Sequence, residues 1–391
     1  MIYEKLCFGP YRLLLWFCLL ALASCATESQ PSQRAAEAAA SFLFVGTYTK
    51  RETHVDGKAA GIYTLDAANL EQLSVANGIT NPSYLAVQKS PALLYAVSET
   101  GPAEDSTAWV YAYRIDRDDG SLQLINRQPS PGFAPCYISL HPSGEALLLA
   151  NYVGGAVAVY PQREDGSLAP ASDTAVFRGS GPHPEQSASH PHCILPSPDG
   201  RFVLVADKGT DRIMAFAWNA AEKQLQAADP PFTEVEKGAG PRHLAFHPNG
   251  QYLYLINELN SRVDAFRYSA QNGRLQHLGN YSTLPEGYNG GNSAADLHLS
   301  PDGRFLYASN RGHNSIALYQ IASDGKLQPI GFEPTRGAFP RNFLITEDGD
   351  ALLAANQNSD NIVRFRRDST TGKLSFEQET RCFTPVCLKT F

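Results

Sequence analysis

Nine side chains in this sequence have types and spacings that could do chemistry: His192, Arg242, Glu258 and Arg311, with Lys208, Arg341, Asp296, Tyr152 and Glu99 around them. An imidazole titrating near neutrality can move a proton, and a carboxylate can orient that imidazole or, if burial raises its pKa, take the proton itself. Guanidinium forks stay charged and suit a carbonyl oxyanion, a carboxylate or a phosphate. These residues are far apart in the chain, so the case for a shared site rests on register. Arg242 and Glu258 lie at equal distances either side of Gly250, and His192 and Lys208 at equal distances either side of Gly200. Cys136 and Tyr152 flank Gly144 in the same way, Arg341 and Gln357 flank Gly349, and Asp296 and Arg311 straddle Gly303. If each glycine turns an antiparallel hairpin, both members of a pair sit at the same end of it.

Two columns follow. The first is Ser83, Cys136, His192, Arg242, Asp296, Arg341 and Val386, and the second is Tyr48, Glu99, Tyr152, Lys208, Glu258, Arg311 and Gln357. The apolar positions around them repeat from copy to copy, whereas these columns change among acid, base, imidazole and phenol, which is where a site is expected. The competing reading is that charges at strand ends are solvated or merely pair with one another. A metal reading of His190, His192 and Cys193 is disfavoured, because Cys193 points to the opposite face of its strand. Asp296, Glu99 and Glu258 could share a hard cation, but two arginines beside them oppose it. No metal and no cofactor are expected.

The elements that must hold these columns are repeats. The phrase DLHLSPDGRFLYASNRGHNSIALY (296–319) reads as strand, Ser-Pro-Asp-Gly turn, apolar strand, polar turn and third strand. It recurs from Tyr137, His192, His243 and Asn342, with a worn copy from Ser83. A second hairpin follows in most units, marked by Asp119-Gly120, Asp165-Gly166, Asn272-Gly273, Asp324-Gly325 and Thr371-Gly372, each with a leucine two residues on. Short strands in repeats of this length, with no helical period between them, predict an all-β fold of propeller blades. Residues 41–76 supply three strands of a blade that lacks its innermost strand, and Pro385–Lys389 resembles the start of the inner strands elsewhere. The prediction is a seven-bladed β-propeller closed by the C-terminal strand pairing into the first blade, which leaves few open sheet edges. Two long loops, 176–190 with His183 and Glu185 and 282–295 with a glycine-rich centre, are placed to cover a ligand at the mouth where the columns converge.

With 391 residues, 43% of them apolar, the chain can bury one large closed domain, and a net charge of -7 argues against a nucleic-acid partner. Lys5 and Arg12 precede an apolar run, Leu13 to Leu22, that is too short to span a bilayer. Residues 1–24 therefore read as a signal peptide, and Leu22-Ala23-Ser24-Cys25 resembles a bacterial lipobox, with Cys25 lipidated. Residues 25–40 read as a flexible tether and 41–391 as the propeller domain. The expected product is an exported lipoprotein held to a membrane through Cys25, facing the periplasm or cell exterior. Nothing in the sequence specifies an oligomeric state. Of the seven cysteines, Cys136, Cys193, Cys382 and Cys387 remain for the domain, without the spacing of a disulfide framework.

Gly-Pro-Arg-His-Leu-Ala-Phe-His-Pro-Asn-Gly (240–250), the stretch 294–312 and the Pro-Val-Cys-Leu-Lys ending resemble the lactonase family of seven-bladed propellers. That family includes a bacterial 6-phosphogluconolactonase and is related to fungal carboxy-muconate cyclase. The resemblance runs from Ser41 to Phe391 and implies hydrolysis of a sugar lactone, with 6-phosphogluconolactone as its leading substrate. An unphosphorylated aldonolactone, a muconate-type cyclisation and a non-catalytic binding propeller are the alternatives. It also implies a site of one His, two Arg and one Glu, matched here by His192, Arg242, Arg311 and Glu258. In that site His192 would be the base, Glu258 its orienter or an alternative base, and the arginines the oxyanion donors, while Lys208, Arg341, Asp296, Tyr152 and Glu99 would bind substrate. The exported N-terminus departs from a cytoplasmic role and leaves the phosphorylated substrate open.

Overall fold

A computed structural model describes residues 41–52 and 55–391. The expected signal peptide (1–24), Cys25 and the expected tether (25–40) lie outside the described residues. All regular secondary structure described is β: seven four-stranded antiparallel sheets and one two-stranded hairpin, Arg51–Glu52 with Val55–Asp56. We number the sheets as blades 1 to 7, counting from the one that holds both chain ends. Their inner strands are Pro385–Thr390, Leu85–Gln88, Phe133–Leu140, Pro191–Pro196, Pro241–Phe246, Ser293–Leu299 and Pro340–Ile345. Each inner strand packs beside the next, and the last packs beside the first, so the blades form a closed ring.

Burial explains why the sequence divides into these strands. Second strands such as Phe42–Thr47, Leu93–Ser98, Phe202–Asp207 and Tyr252–Asn257 are buried at every position, because each is covered by a neighbouring blade on both faces. They therefore read as continuous apolar runs. Fourth strands at the rim, such as Leu122–Pro129 and Leu275–Ser282, mix exposed and half-buried residues.

Blades are clasped to one another by the outer hairpin turns. Tyr95, Tyr254 and Tyr307 donate their hydroxyls to the carbonyls of Gly166, Gly325 and Gly372 in the next blade, at 3.0, 3.0 and 2.8 Å. The turn glycines have two reasons to be glycine: Gly273, for example, has φ +73°, and a Cβ there would lie 2.6 Å from the Phe202 ring.

The C-terminus closes the ring as expected. Leu43 faces Thr390, Val45 faces Leu388 and Gly46 faces Cys387 across an antiparallel ladder, and Val386, Cys387 and Leu388 are buried. Cys136, Cys193, Cys382 and Cys387 are buried and unpaired.

A β-bulge near the start of the inner strand is the local device that aims the first column. In blade 4 Pro191 pairs with Asp207 and Cys193 with Ala206, which leaves His192 as the extra residue. Cys136, Arg242, Arg341 and Val386 occupy the same bulge in blades 3, 5, 7 and 1. A bulge bends its strand and redirects one side chain, as it commonly does beside sites.

Blade 6 corrects one expectation. Ala294 pairs with Asn310 and Leu297 with Ala308, so Ala295 takes the column position, and Asp296 drops into the place that His243 and Asn342 hold in blades 5 and 7. Asp296 is therefore not at the channel mouth.

Candidate active site

A cavity of about 420 Å³ opens at the predicted mouth of the channel. Its wall includes His192, Lys208, Glu258, Arg311, Arg341, Tyr152 and Glu99, so seven of the nine candidates converge there. Arg242 and Asp296 do not line it. Arg242 is 2% exposed and lies behind the wall, drawn to the Glu258 carboxylate and the Ala295 carbonyl. Asp296 borders a separate cavity toward the other end of the channel.

Glu258 organises the basic side. Its Oε1 lies 2.7 Å from Lys208 Nζ, and its Oε2 lies 2.9 Å from Arg242 Nε and 3.0 Å from Arg311 Nη2. Burial alone would raise this carboxyl, but Arg311, Lys208 and Arg242 together hold it well below the usual carboxylate range. It is held as an anion here, so the burial-raised pKa that the reading of Glu258 as a base required is not met. Burial pushes Arg311 down to about 10 against the pull of Glu258, so it remains a cation at neutral pH. Arg311 is fixed further by the carbonyls of Ser293 and Ala294, both at 3.2 Å.

His192 differs from these committed groups. Its Nδ1 is buried with no hydrogen-bond partner among the described residues, and the ring meets Tyr152 and His243 edge-on, with centroids at 5.8 and 5.2 Å. Burial, and then the charge of Arg242, hold its pKa well below 6.5, so at neutral pH it is an uncharged imidazole able to accept a proton. His190, its neighbour but one, is used otherwise: it stacks on Tyr152 at 4.4 Å and bonds the Tyr152 carbonyl.

The opposite side is acidic and was only partly foreseen. Glu99 is joined by Glu52, from the two-stranded hairpin, and Glu104, from an irregular connection, neither of which has a counterpart in the repeat. Burial, then Glu99 and Glu104, push Glu52 up to about 7. Phe339 was also missed. It lines the cavity with φ +66°, a strained conformation for a bulky residue, held by a 2.8 Å bond from its N–H to Asn314 Oδ1, and the Arg311 guanidinium lies 5.2 Å from its ring centroid. Of the two long loops, 176–190 reaches the site through Glu185, which pairs with Lys208 Nζ at 2.7 Å. Loop 282–295 contributes no lining residue.

An open cavity at the mouth of a seven-bladed ring, with a neutral imidazole beside a carboxylate-bound cluster of cations, fits the hydrolases built on this fold. Residues 42–390 match the family described as Lactonase, 7-bladed beta-propeller, and the chain belongs to it. A 6-phosphogluconolactonase of Bacillus subtilis is 33% identical over 352 residues, covering 88% of this chain and 97% of its own. Another from Formosa agariphila is 38% identical over 343 residues, covering 85% and 94%. The solved structure of a periplasmic gluconolactonase of Pseudomonas aeruginosa is 36% identical, covers 90% of this chain and 98% of that one, and superimposes with a TM-score of 0.83. The protein is a lactone hydrolase.

Proposed function

We propose that the cavity hydrolyses a sugar 1,5-lactone of the gluconolactone type, with His192 as the base. The observation that carries this is the polarity of the cavity: uncommitted His192 stands beside cationic Arg311 and Lys208, and Glu52, Glu99 and Glu104 line the opposite side. A lactone carbonyl directed at the cations leaves its ring hydroxyls to donate to the carboxylates. Water attacks the carbonyl carbon as His192 takes its proton, and Arg311 stabilises the tetrahedral oxyanion. The carbon–oxygen bond of the ring then breaks, and the proton held by His192 passes to the departing alkoxide. Arg242 acts from behind the wall by holding Glu258.

The charge balance favours an uncharged sugar body. Lys208 is paired with Glu185 and Glu258, Arg311 with Glu258, and Arg341 stands 3.9 Å from Glu99, so among the described residues no lining cation lacks a carboxylate. A 6-phosphate, the reading supported by the names of the Bacillus and Formosa relatives, would have to displace Glu185 from Lys208 or Glu99 from Arg341. Glu185 is the replaceable partner, since its side chain is 58% exposed.

Export bears on the same question. The Leu22-Ala23-Ser24-Cys25 stretch supports lipidation at Cys25 and a domain held at a membrane, where free sugar lactones are the accessible substrates; an amide-linked chain beside a diacylglycerol anchors stably where one acyl chain does not. The test compares kcat/KM on glucono-1,5-lactone with and without the 6-phosphate, after subtracting spontaneous hydrolysis, alongside fractionation of cells expressing wild type and Cys25→Ala. The proposal expects turnover of the unphosphorylated lactone at least equal to that of the phosphate, and release of Cys25→Ala from membranes. Strong preference for the phosphate, or wild-type protein that is already soluble and cytoplasmic, would overturn the respective part.

A further inference from the structure

Behind Glu258 a line of buried polar groups runs away from the cavity, and lactone hydrolysis as derived above does not use it directly. His243, 3% exposed, lies 2.7 Å through Nδ1 from Asp296 Oδ1 and 3.1 Å through Nε2 from Arg242 Nη1. Asp296, also 3% exposed, receives His298 Nε2 at 3.0 Å, the Asn342 side-chain amide and the N–H of Leu297 at 3.0 Å. Tyr84, Tyr137 and His192 pack around the His243 ring, with centroids at 6.0, 5.1 and 5.2 Å.

Only one form of His243 satisfies both neighbours. A guanidinium can only donate, so Nε2 must present its lone pair to Arg242, and the proton must sit on Nδ1, where an ionised Asp296 accepts it. The charge states agree. Burial, and then Arg242, push His243 down to about 4, while burial raises the Asp296 carboxyl less than His298 and His243 lower it. This arrangement decides how Arg242 meets Glu258. His243 and the Ala295 carbonyl anchor the guanidinium through Nη1, and in that pose Nε alone bonds Glu258 while Nη2, on the same edge as Nε, makes no bond to the carboxylate. A guanidinium not held in this way would close on both carboxylate oxygens as a two-pronged fork. That fork would add a second donor at Oε1, where Lys208 binds, on top of the Oε2 that Arg242 already shares with Arg311.

We infer that His243 is a positioning residue for the lactonase site: fixed as its Nδ1–H form by Asp296, it holds Arg242 in a one-pronged contact, so that Glu258 stays shared among three cations and Arg311 and Lys208 stay presented to the cavity. His243 touches no substrate in this scheme and acts through Arg242, beside its packing contact with the His192 ring. The inference rests on the assignment of Glu258 and Arg311 to the working site.

The test combines a mutant cycle with a measurement that needs no substrate. His243→Leu should lower kcat about 10-fold, inside the range of couplings between contacting residues, and change KM less. His243→Gln, whose side-chain oxygen can still accept from Arg242, should recover most of the loss. In an Arg242→Ala background His243→Leu should change kcat by less than about 2-fold. Independent, additive losses would overturn the inference, as would a Gln variant as poor as Leu at equal thermal stability. If His243→Leu does not fold, the Gln variant and the spectroscopic arm decide. Imidazole ¹⁵N spectra of wild-type protein between pH 5 and 8 should show His243 neutral, with its proton on Nδ1. A proton on Nε2, or a protonated ring at pH 7, contradicts the inference whether or not any lactone is hydrolysed; absent lactone turnover with the expected spectrum would instead fault the functional reading alone.

Discussion

Replacing Glu258 by Gln should destabilise the protein severely although it changes few atoms. The Glu258 side chain is 10% exposed and is the counter-charge for Lys208, Arg242 and Arg311, whose side chains are 3%, 2% and 5% exposed. Removing one partner of a buried ion pair typically costs about 3–5 kcal/mol, because the remaining charge is left in a poor solvent. Here three cations lose it together; Lys208 keeps Glu185. Taking about 4 kcal/mol, and an unfolding entropy of ~2.1 cal/mol/K per residue for a fold of this size, Tm should fall by about 5–6 °C. Thermal denaturation at pH 7, read by far-UV circular dichroism, measures it. A second substitution, Lys208→Met, removes one stranded cation and should restore part of the loss. A Glu258→Gln variant melting within 1 °C of wild type would mean that these cations are solvated in solution, which refutes the charge-cluster account.

Deleting residues 385–391 removes a ladder to Phe42–Thr47 and the buried Val386, Cys387 and Leu388, and the summed loss of strand pairing and apolar burial rivals the whole stability of a typical domain; the truncated chain should show no cooperative transition, and an unchanged Tm would count against ring closure. Stability should also depend on pH in a defined direction. His192 and His243 are held neutral when folded, well below 6.5 and at about 4, so the unfolded chain gains protons first as pH falls through 6.5. Their contribution is complete above about pH 6.5 and is lost on acidification by up to ~1.36 kcal/mol per pH unit for each group, with Glu258 and Asp296 adding a further loss below the ordinary carboxylate range. Glu52, raised to about 7, opposes this with the reverse sign. Melting temperatures should decline from pH 7 to pH 5 in wild type and less so in His192→Gln; a flat profile would exclude buried neutral histidines.

The blades were legible because strand alternation and turn glycines repeat, and the ring closure because the C-terminal Pro-Val-Cys-Leu-Lys copies an inner strand that residues 41–76 lack. The columns were legible through symmetry about each turn glycine, and that same symmetry held the clue to Asp296: it stands seven residues from Gly303, whereas Arg242 stands eight from Gly250. The position eight before Gly303 is Ala295, which the bulge pairing confirms as the column member. The retreat of Arg242 behind the wall was not readable, because a long side chain goes where its partners are, and Glu258 and the Ala295 carbonyl come from other strands. Glu52, Glu104 and Phe339 lie in connections outside the repeat, where no register predicts direction. The charge state of Glu258 depends on three cations from three strands gathering on one carboxylate, a tertiary fact.

The central claim, that the neutral His192 imidazole is the base for lactone hydrolysis, is tested most directly by the steady-state rate of His192→Gln on glucono-1,5-lactone across pH 5 to 7.5, with spontaneous hydrolysis subtracted. The account predicts a folded variant slowed by about 10²-fold or more, and a wild-type kcat/KM that holds level well below pH 6.5, because the base stays unprotonated there. A His192→Gln enzyme that retains wild-type turnover would contradict it.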